Sequence, residues 1–398
     1  MADILSLDDI DVQGKKVLLR ADLNVPMKAG KVTDTTRIDR VIPTIKELIA
    51  NNAKVIICSH FGRPKGEFNI DYTLAPIADE ISAALGNTPV KFAVDSIGSE
   101  ATRIIDNLQN GDVCLLENLR FHAQEKANNA EFSKALASLA DVYVNDAFSC
   151  SHRAHASIVG VTALLPSAIG RLMQAELSNL EKHIGNANAP ITAVIGGAKI
   201  STKLGLIDAL IDRTDNIVIG GGMANTFLKA MGNEIGTSLC EDDLLDTARN
   251  ILAKAKANNC EILLPMDVIC VPEFKAGLEC LVCDANNVPA DQMILDAGPK
   301  TVANLVNKLA DTKTIIWNGP LGAFEMHPYD NSTVSLARFA AGQTAAGKMV
   351  SIAGGGDTIY ALKHACVDES FTYCSTAGGA FLQWLEGKEL PGLAALKS

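Results

Sequence analysis

Met349-Val-Ser-Ile-Ala-Gly354-Gly-Gly356-Asp357-Thr358 is the stretch on which the fold turns. Its apolar, β-branched start predicts a buried parallel strand. The strand runs into three glycines and Asp-Thr, and Ile359-Tyr-Ala-Leu-Lys363 then continues as helix. Glycines let backbone approach a ligand closely, and the helix start offers unpaired N–H groups to an anion. Asp357 suits a divalent cation, and Thr358 has a hydroxyl to donate to a phosphate oxygen. On these residues alone the turn is either a loop for nucleotide phosphates with Mg²⁺ or a tight turn capped by Asp.

Just upstream, Gly342-Gln-Thr-Ala-Ala-Gly347-Lys348-Met349 has the spacing of a Walker A loop up to its last position. Met349 replaces the hydroxyl residue that would hold magnesium, and the pattern precedes a strand instead of following one. Lys348 is therefore expected to be a solvated residue at a strand entrance.

The same strand–helix alternation extends over the whole chain. Strand-like runs are Lys16–Arg20, Val55–Ser59, Val113–Leu116 and Val142–Val144, then Thr192–Ile195, Ile217–Ile219, Ile262–Leu264, Thr314–Trp317 and Val350–Ala353. Helix-like segments between them imply parallel sheets covered on both faces. Between the two sets, Ile169, Leu172, Met173, Leu177, Leu180 and Ile184 form a helical stripe over Ser167–Ile184, closed by Gly185 and a linker ending at Pro190. Two doubly wound, Rossmann-like α/β domains joined by a long helix are expected.

Composition narrows the function. A length of 398 residues suits two domains, and 48% hydrophobic residues fill their cores. A net charge of −11 speaks against a nucleic-acid or anionic-membrane surface, so an anionic ligand needs a local basic pocket. No apolar run is long enough to span a bilayer, and the N-terminus lacks the pattern of a signal peptide. Ten scattered cysteines read as reduced core thiols of a cytoplasmic protein; Cys280 and Cys283 have CxxC spacing but no second pair at zinc-ribbon distance.

Eight of the eleven arginines precede Lys199. Arg20, Arg63 and Arg120 lie just beyond strand ends, in Arg20-Ala-Asp22-Leu23-Asn24, His60-Phe61-Gly62-Arg63 and Glu117-Asn-Leu-Arg120. Carboxyl ends of parallel strands converge on a crevice, and Arg grips phosphate or carboxylate with paired hydrogen bonds. An anion pocket follows, which His60, His152 and Arg153 extend; Asp22 and Asn24 could orient a substrate hydroxyl or pin an arginine. His155 could equally be structural.

The second half is built differently. Gly196-Gly-Ala-Lys199-Ile-Ser-Thr-Lys203 is a glycine turn and a helix start, with two lysines expected on one helical face. Gly220-Gly221-Gly222-Met-Ala-Asn225 is either a slot for a base or close helix packing; Asn225 breaks the dinucleotide fingerprint. Trp317-Asn318-Gly319-Pro320 closes another strand, and Glu325 is positioned in sequence to accept from ribose hydroxyls.

These runs, with Leu116–His122, His152–Ser157 and Gly354–Thr358, resemble those of the phosphoglycerate kinase family from Arg20 to the C-terminus. The resemblance implies reversible transfer of a phosphoryl group from 1,3-bisphosphoglycerate to ADP, giving 3-phosphoglycerate and ATP, with Mg²⁺, in a cytoplasmic, hinge-bending monomer. It implies a phosphoglycerate-binding domain over 1–170, an interdomain helix over 171–185, a nucleotide domain over 186–370 and a terminal segment, 371–398, packing back on the first domain. By resemblance, Asp22, Leu23, Asn24, Arg37, His60, Phe61, Gly62, Arg63, Arg120, His152 and Arg153 bind the phosphoglycerate. Lys199, Lys203, Gly221, Gly222, Asn318, Glu325, Gly355, Gly356, Asp357 and Thr358 bind the nucleotide, with Asp357 on the metal. Arg37, Lys199, Gly355 and Gly378 serve the transfer itself. Departures fall at Ser149-Cys150-Ser151, Gly170-Arg171, Ala297, Leu321 and Ala323. Two other classes fit parts of the pattern: a two-lobed anion-binding protein without chemistry, and an NAD-dependent dehydrogenase.

Overall fold

The computed structural model describes residues 4–397. Two compact units divide the chain: one runs up to Ser178 and takes in the stretch from Glu389 onward, the other is Asn179–Lys388. The boundary falls inside the helix Arg171–Leu180, which a π-type turn, Glu181–Gly185, continues.

The first unit holds a six-stranded sheet. Its strands are β1 (Lys16–Arg20), β2 (Lys54–Cys58), β3 (Val90–Ala93), β4 (Val113–Leu116), β5 (Val142–Asn145) and β6 (Ser167–Ile169), in the order β3-β4-β2-β1-β5-β6. Every pairing is parallel. The chain starts at β1, works outward on one side and then returns to β5 on the other. The switch point thus lies between the carboxyl ends of β1 and β5, where ligands bind in such sheets. Helix Thr36–Ala50 covers one face by burying Ile38, Val41, Ile42, Ile45 and Leu48, the spacing of a single helical stripe.

The second unit repeats the plan. Its strands are β7 (Ile191–Ile195), β8 (Asn216–Ile219), β9 (Glu261–Leu263), β10 (Thr314–Asn318), β11 (Val350–Gly354) and β12 (Tyr373–Ser375), in the order β9-β8-β7-β10-β11-β12, all parallel. This is the Rossmann order, with its switch point between β7 and β10. Beside it, Asp267–Val271 pairs antiparallel with both Leu281–Asp284 and Met293–Ala297.

The strands read from the sequence are found within a residue of their expected bounds. Two corrections concern the edges. Ser167–Ile169, expected to begin the long helix, is edge strand β6, because the Ile169 N–H donates to Leu5 O and Gly170 then passes too close to Asp146 for any side chain. The expected terminal segment 371–398 divides: β12 and the helix Gly379–Leu385 belong to the second unit, and only the stretch from Glu389 joins the first. There Gly392 N–H donates to Ser151 O over 2.8 Å. Lys348 is exposed at the strand entrance, as expected, beside a helix C-cap: Gly347 has φ +69°, its N–H donates to Thr344 O, and Lys348 N–H donates to Gln343 O. That cap feeds the amino end of β11, away from the carboxyl-end crevice.

Candidate active site

In the first unit, the carboxyl ends of β1, β2, β4 and β5 deliver their loops to one crevice. The β1 and β2 exits are sewn together by Ser59, whose hydroxyl donates to Ala21 O at 2.8 Å and accepts from Leu23 N–H at 2.9 Å. Asn24 holds the next loop through its side-chain oxygen, which accepts from Gly62 N–H at 2.8 Å. Asn118 clamps the Phe61 backbone from both sides, at 3.1 and 2.7 Å. Gly62 has φ +59°, and a Cβ there would lie 2.2 Å from the Tyr72 ring, so no other residue fits.

Around this frame sit the charged groups. Asp22 Oδ2 accepts from Arg37 Nη1 at 2.6 Å and from the Ser149 hydroxyl at 2.5 Å. Burial works against the Asp22 carboxylate, yet Arg37 and the Ser149 hydroxyl outweigh it and hold the carboxyl well below its usual range. Arg120 Nη1 donates to Gly62 O at 2.6 Å. Arg153 Nε donates to His152 Nε2 at 3.1 Å, which makes Nδ1 the protonated nitrogen of His152. That Nδ1 is buried without a partner among the described residues, and so is Arg120 Nε. Burial and the neighbouring Arg153 lower the Arg120 pKa to about 10. Burial, then Arg153, also lowers that of His152. Arg63 is the exposed end of the β2 loop.

Arg20 belongs to the frame. It is 1% exposed; Nε donates to Ser157 Oγ, Nη1 to Ala21 O, and Nη2 to His60 Nδ1 at 3.2 Å. All three nitrogens are committed, so of the arginines beyond strand ends it is not one that meets a ligand. Accepting from Arg20 keeps His60 neutral, in line with a pKa driven far down, first by burial. His155, likewise pushed down to about 3 by burial, lies 3.7 Å from buried Glu125 and is structural. Asp22, His60 and Cys150 bring possible metal ligands within 4.8 Å of one another. Arg20 and Arg37 are already bonded to two of them, which opposes a cation there.

In the second unit the exits of β7 and β10 touch backbone to backbone. A Cβ on Gly196 would lie 1.8 Å from Pro320 O, and one on Gly319 would lie 2.1 Å from Gly196 O. The β11 exit is drawn in by Asn318, whose Nδ2 donates to Gly354 O at 2.6 Å while its Oδ1 accepts from Lys203 Nζ. Asn318 is buried and therefore acts through Lys203 and the loop. Burial lowers the Lys203 pKa, against the pull of Asp357 and Glu386. Gly355, with φ +101°, caps the helix Gly356–His364 and gives its first amides an open face; Asp357 is exposed in that turn. Gly378, with φ +50°, starts the helix Gly379–Leu385 in the same way.

Two expectations change here. The Thr358 hydroxyl donates to Gly354 O at 2.9 Å and accepts from Gly319 N–H at 2.7 Å, so it fastens two strand exits and is not free to donate to a phosphate. Lys199 and Lys203 do not share a helical face: Lys199 is extended and exposed, Ile200–Thr202 is a 3₁₀ turn, and the helix begins only at Leu204. Beside these loops lies a cavity of about 510 Å³ lined by Gly221, Gly222, Pro320, Glu325, Asp357 and largely apolar side chains. Asn225, Phe274 and Leu295 in its wall were not legible as site residues. The one signal is Phe274, an aromatic standing 65% exposed.

An arginine-lined crevice on one parallel α/β unit and a glycine- and lysine-lined crevice on the other define a phosphotransferase of two anionic substrates. Residues 7–388 match the family described as phosphoglycerate kinase. The chain is 54% identical over 391 residues to phosphoglycerate kinase of Cereibacter sphaeroides (98% of each chain). It is 53% identical over 399 residues to that of Methylorubrum extorquens, covering all of both. A solved phosphoglycerate kinase structure from Coxiella burnetii superposes with a TM-score of 0.88 at 40% identity over 99% of this chain and 98% of the other. One from Pyrococcus horikoshii does so at 0.85 and 31% over the same shares. The chain belongs to the phosphoglycerate kinase family. Its function is that of the family, phosphoryl transfer with a carboxyl group as acceptor; neither a binding protein without chemistry nor a dehydrogenase finds support.

Proposed function

We propose that the first unit binds 3-phosphoglycerate and its acyl phosphate, and that the second binds ATP or ADP with Mg²⁺. The observation that carries this reading is the pair of buried donors without partners among the described residues, Arg120 Nε and His152 Nδ1, in a crevice where Arg120 and Arg153 oppose each other as like charges and Arg37 is paired with Asp22. Buried donors call for acceptors, and a phosphate or carboxylate supplies several at once. Asp22, Leu23, Asn24 and the His60–Arg63 loop shape this pocket, with Asp22 steadying Arg37.

In the second unit Lys203, Lys199 and the amides from Gly355 to Thr358 meet the nucleotide phosphates. Gly221, Gly222 and Glu325 face the nucleoside. Asp357 is the exposed carboxylate that would hold Mg²⁺, a cation that takes hard oxygen ligands and would offset phosphate charge. The acceptor carboxylate is ionised at neutral pH, so the chain need not remove a proton. Its work is to hold the reacting atoms about 3–3.5 Å apart and to neutralise the phosphoryl group in flight. Arg37, Lys199 and the amides at Gly355 and Gly378 do the latter. The ten free cysteines and the acidic charge fit a cytoplasmic monomer. Among the described residues no helix is long and apolar enough to cross a membrane.

The test is a coupled assay of ATP-dependent phosphorylation of 3-phosphoglycerate by the purified chain, with and without Mg²⁺. Turnover that requires the metal and falls in both Arg120→Ala and Lys203→Ala is expected. Turnover unaffected by either variant would overturn the assignment of these crevices.

A further inference from the structure

Ser149 lies in the 3₁₀ turn Phe148–Cys150, beyond the carboxyl end of β5. The turn is firmly held. Phe148 and Cys150, on either side of the serine, are each 2% exposed. Cys150 N–H donates to Ala147 O and Ser151 N–H to Phe148 O, both at 2.9 Å. Ser149 itself is half-buried, and its hydroxyl donates to Asp22 Oδ2 at 2.5 Å. Asp22 follows β1, the strand that pairs directly with β5, so this bond spans the switch point of the first sheet. The same Oδ2 accepts from Arg37 Nη1 at 2.6 Å, and Arg37 is the second residue of the helix Thr36–Ala50. One carboxylate oxygen thus joins the exits of two strands to the helix that carries Arg37. The other oxygen is held less firmly: Oδ1 accepts from Asn24 N–H at 3.2 Å, the long end of the hydrogen-bonding range. Ser149 departs from the family pattern, so family membership does not supply its role.

We propose that Ser149 is a positioning residue for the transfer: by fixing the Asp22 carboxylate from a rigid turn, it aims the Arg37 guanidinium before substrate binds. The inference rests on the reading of Arg37 as a residue of the transfer. A hydroxyl donating to a carboxylate makes a short, charge-assisted bond, which sets the plane of the carboxylate. Without it, that plane is left to the long Asn24 bond and to Arg37, whose own side chain is 35% exposed. A cation that is already aimed stabilises the transferring group without having to be ordered at the moment of reaction. Ser149 therefore acts on the rate through Asp22 and Arg37, and the second unit does not feel it.

The experiment measures kcat and both KM values in the coupled assay for the wild type, Ser149→Ala, Ser149→Thr, Arg37→Ala and the double variant of Ser149→Ala with Arg37→Ala. Ser149→Ala should lower kcat by about three- to tenfold, the scale of one hydrogen bond, while KM for ATP holds. Ser149→Thr keeps the hydroxyl and should stay within about twofold of the wild type. In the Arg37→Ala background, losing the Ser149 hydroxyl should cost less than about twofold more, because no guanidinium is left to aim. A serine with a merely structural role would give the same loss in both backgrounds, and that result overturns the inference. An undiminished kcat in Ser149→Ala overturns it too, as does a threonine variant no better than the alanine. Should a thermal melt show Ser149→Ala unfolded, Ser149→Cys takes its place, a weak donor of similar shape. A cysteine variant as active as the threonine one then overturns the inference. Full activity in Arg37→Ala would remove the reading of Arg37 as well, whereas an impaired Arg37→Ala beside an unimpaired Ser149→Ala removes this inference alone.

Discussion

At the residue scale, paired roles explain the charges that do not look away from the protein. Asp22 is the acid that pairs with Arg37, and Ser149, one of the departures from the family pattern, adds a second donor to the same oxygen that holds Arg37. Arg37 is thereby aimed before substrate arrives. Arg37→Ala should lower kcat by roughly 10²-fold or more, the scale of losing one preorganised donor, and Arg37→Lys should restore only part because it lacks the bidentate fork. Full activity in Arg37→Ala, measured in the coupled assay, would remove it from the transfer. Thr358 makes a contrasting case. Its hydroxyl bridges Gly354 and Gly319, so Thr358→Val should cost roughly 1–3 kcal/mol in a urea melt and raise KM for ATP, whereas Thr358→Ser keeps both bonds. A serine variant as impaired as the valine would show that the γ-methyl and not the two hydroxyl bonds carries the effect.

At the scale of the elements, legibility follows burial. Central strands such as β1, β4 and β10 are buried on both faces and stand out in the sequence as unbroken apolar runs. Three of the four edge strands, β3, β6 and β12, are short or half-exposed and no run announces them; the fourth, β9, shows only as the short run Ile262–Leu264. The glycine turns beyond strand ends that hold candidate site residues were legible, because turn and strand end are both local signals. What Arg20, Asn318 and Thr358 do was not, since it depends on partners tens of residues away. The Walker-like run shows the converse: a correct spacing that closes a helix. Lys348→Ala should leave KM for ATP within about twofold while Lys203→Ala raises it strongly; the opposite ranking would mean the phosphates sit elsewhere.

The helix that begins at Arg171 is fastened by a buried acid. Asp146 accepts from Thr44 Oγ1 at 2.6 Å and from Met173 N–H at 2.9 Å, while Arg171 reaches Glu47 and Asp8. Burial, against those bonds, pushes the Asp146 carboxyl up to about 7. Asp296 in the second unit is raised to about 7 for the same reason. An unfolded aspartate ionises near pH 4, so between pH 4 and 7 the native state holds protons that the unfolded state does not. Stability therefore falls as pH rises through that window and levels off above it. Asp22, held low, acts in the opposite direction, and its contribution is lost only in more acidic solution. Asp146→Asn should shrink the difference in unfolding free energy between pH 5 and pH 7.5 by about 2–3 kcal/mol. Identical differences in the two proteins would show that Asp146 does not titrate there.

At the scale of the whole molecule, one topological idea is used twice. Each unit is a parallel sheet with its switch point at the carboxyl edge, and each switch point carries the loops we assign to an anion: arginine and histidine beyond β1, β2, β4 and β5, glycine and lysine after β7, β10 and β11. Arg suits a fixed, planar acid, and Lys a phosphate that moves. The division of labour is the central claim, and isothermal titration of each ligand into variants of each crevice tests it most directly. Arg120→Ala should weaken 3-phosphoglycerate by tenfold or more and leave MgADP within about twofold; Lys203→Ala should do the reverse. Loss of both ligands in either variant, or loss of the ligand assigned to the other unit, would contradict it.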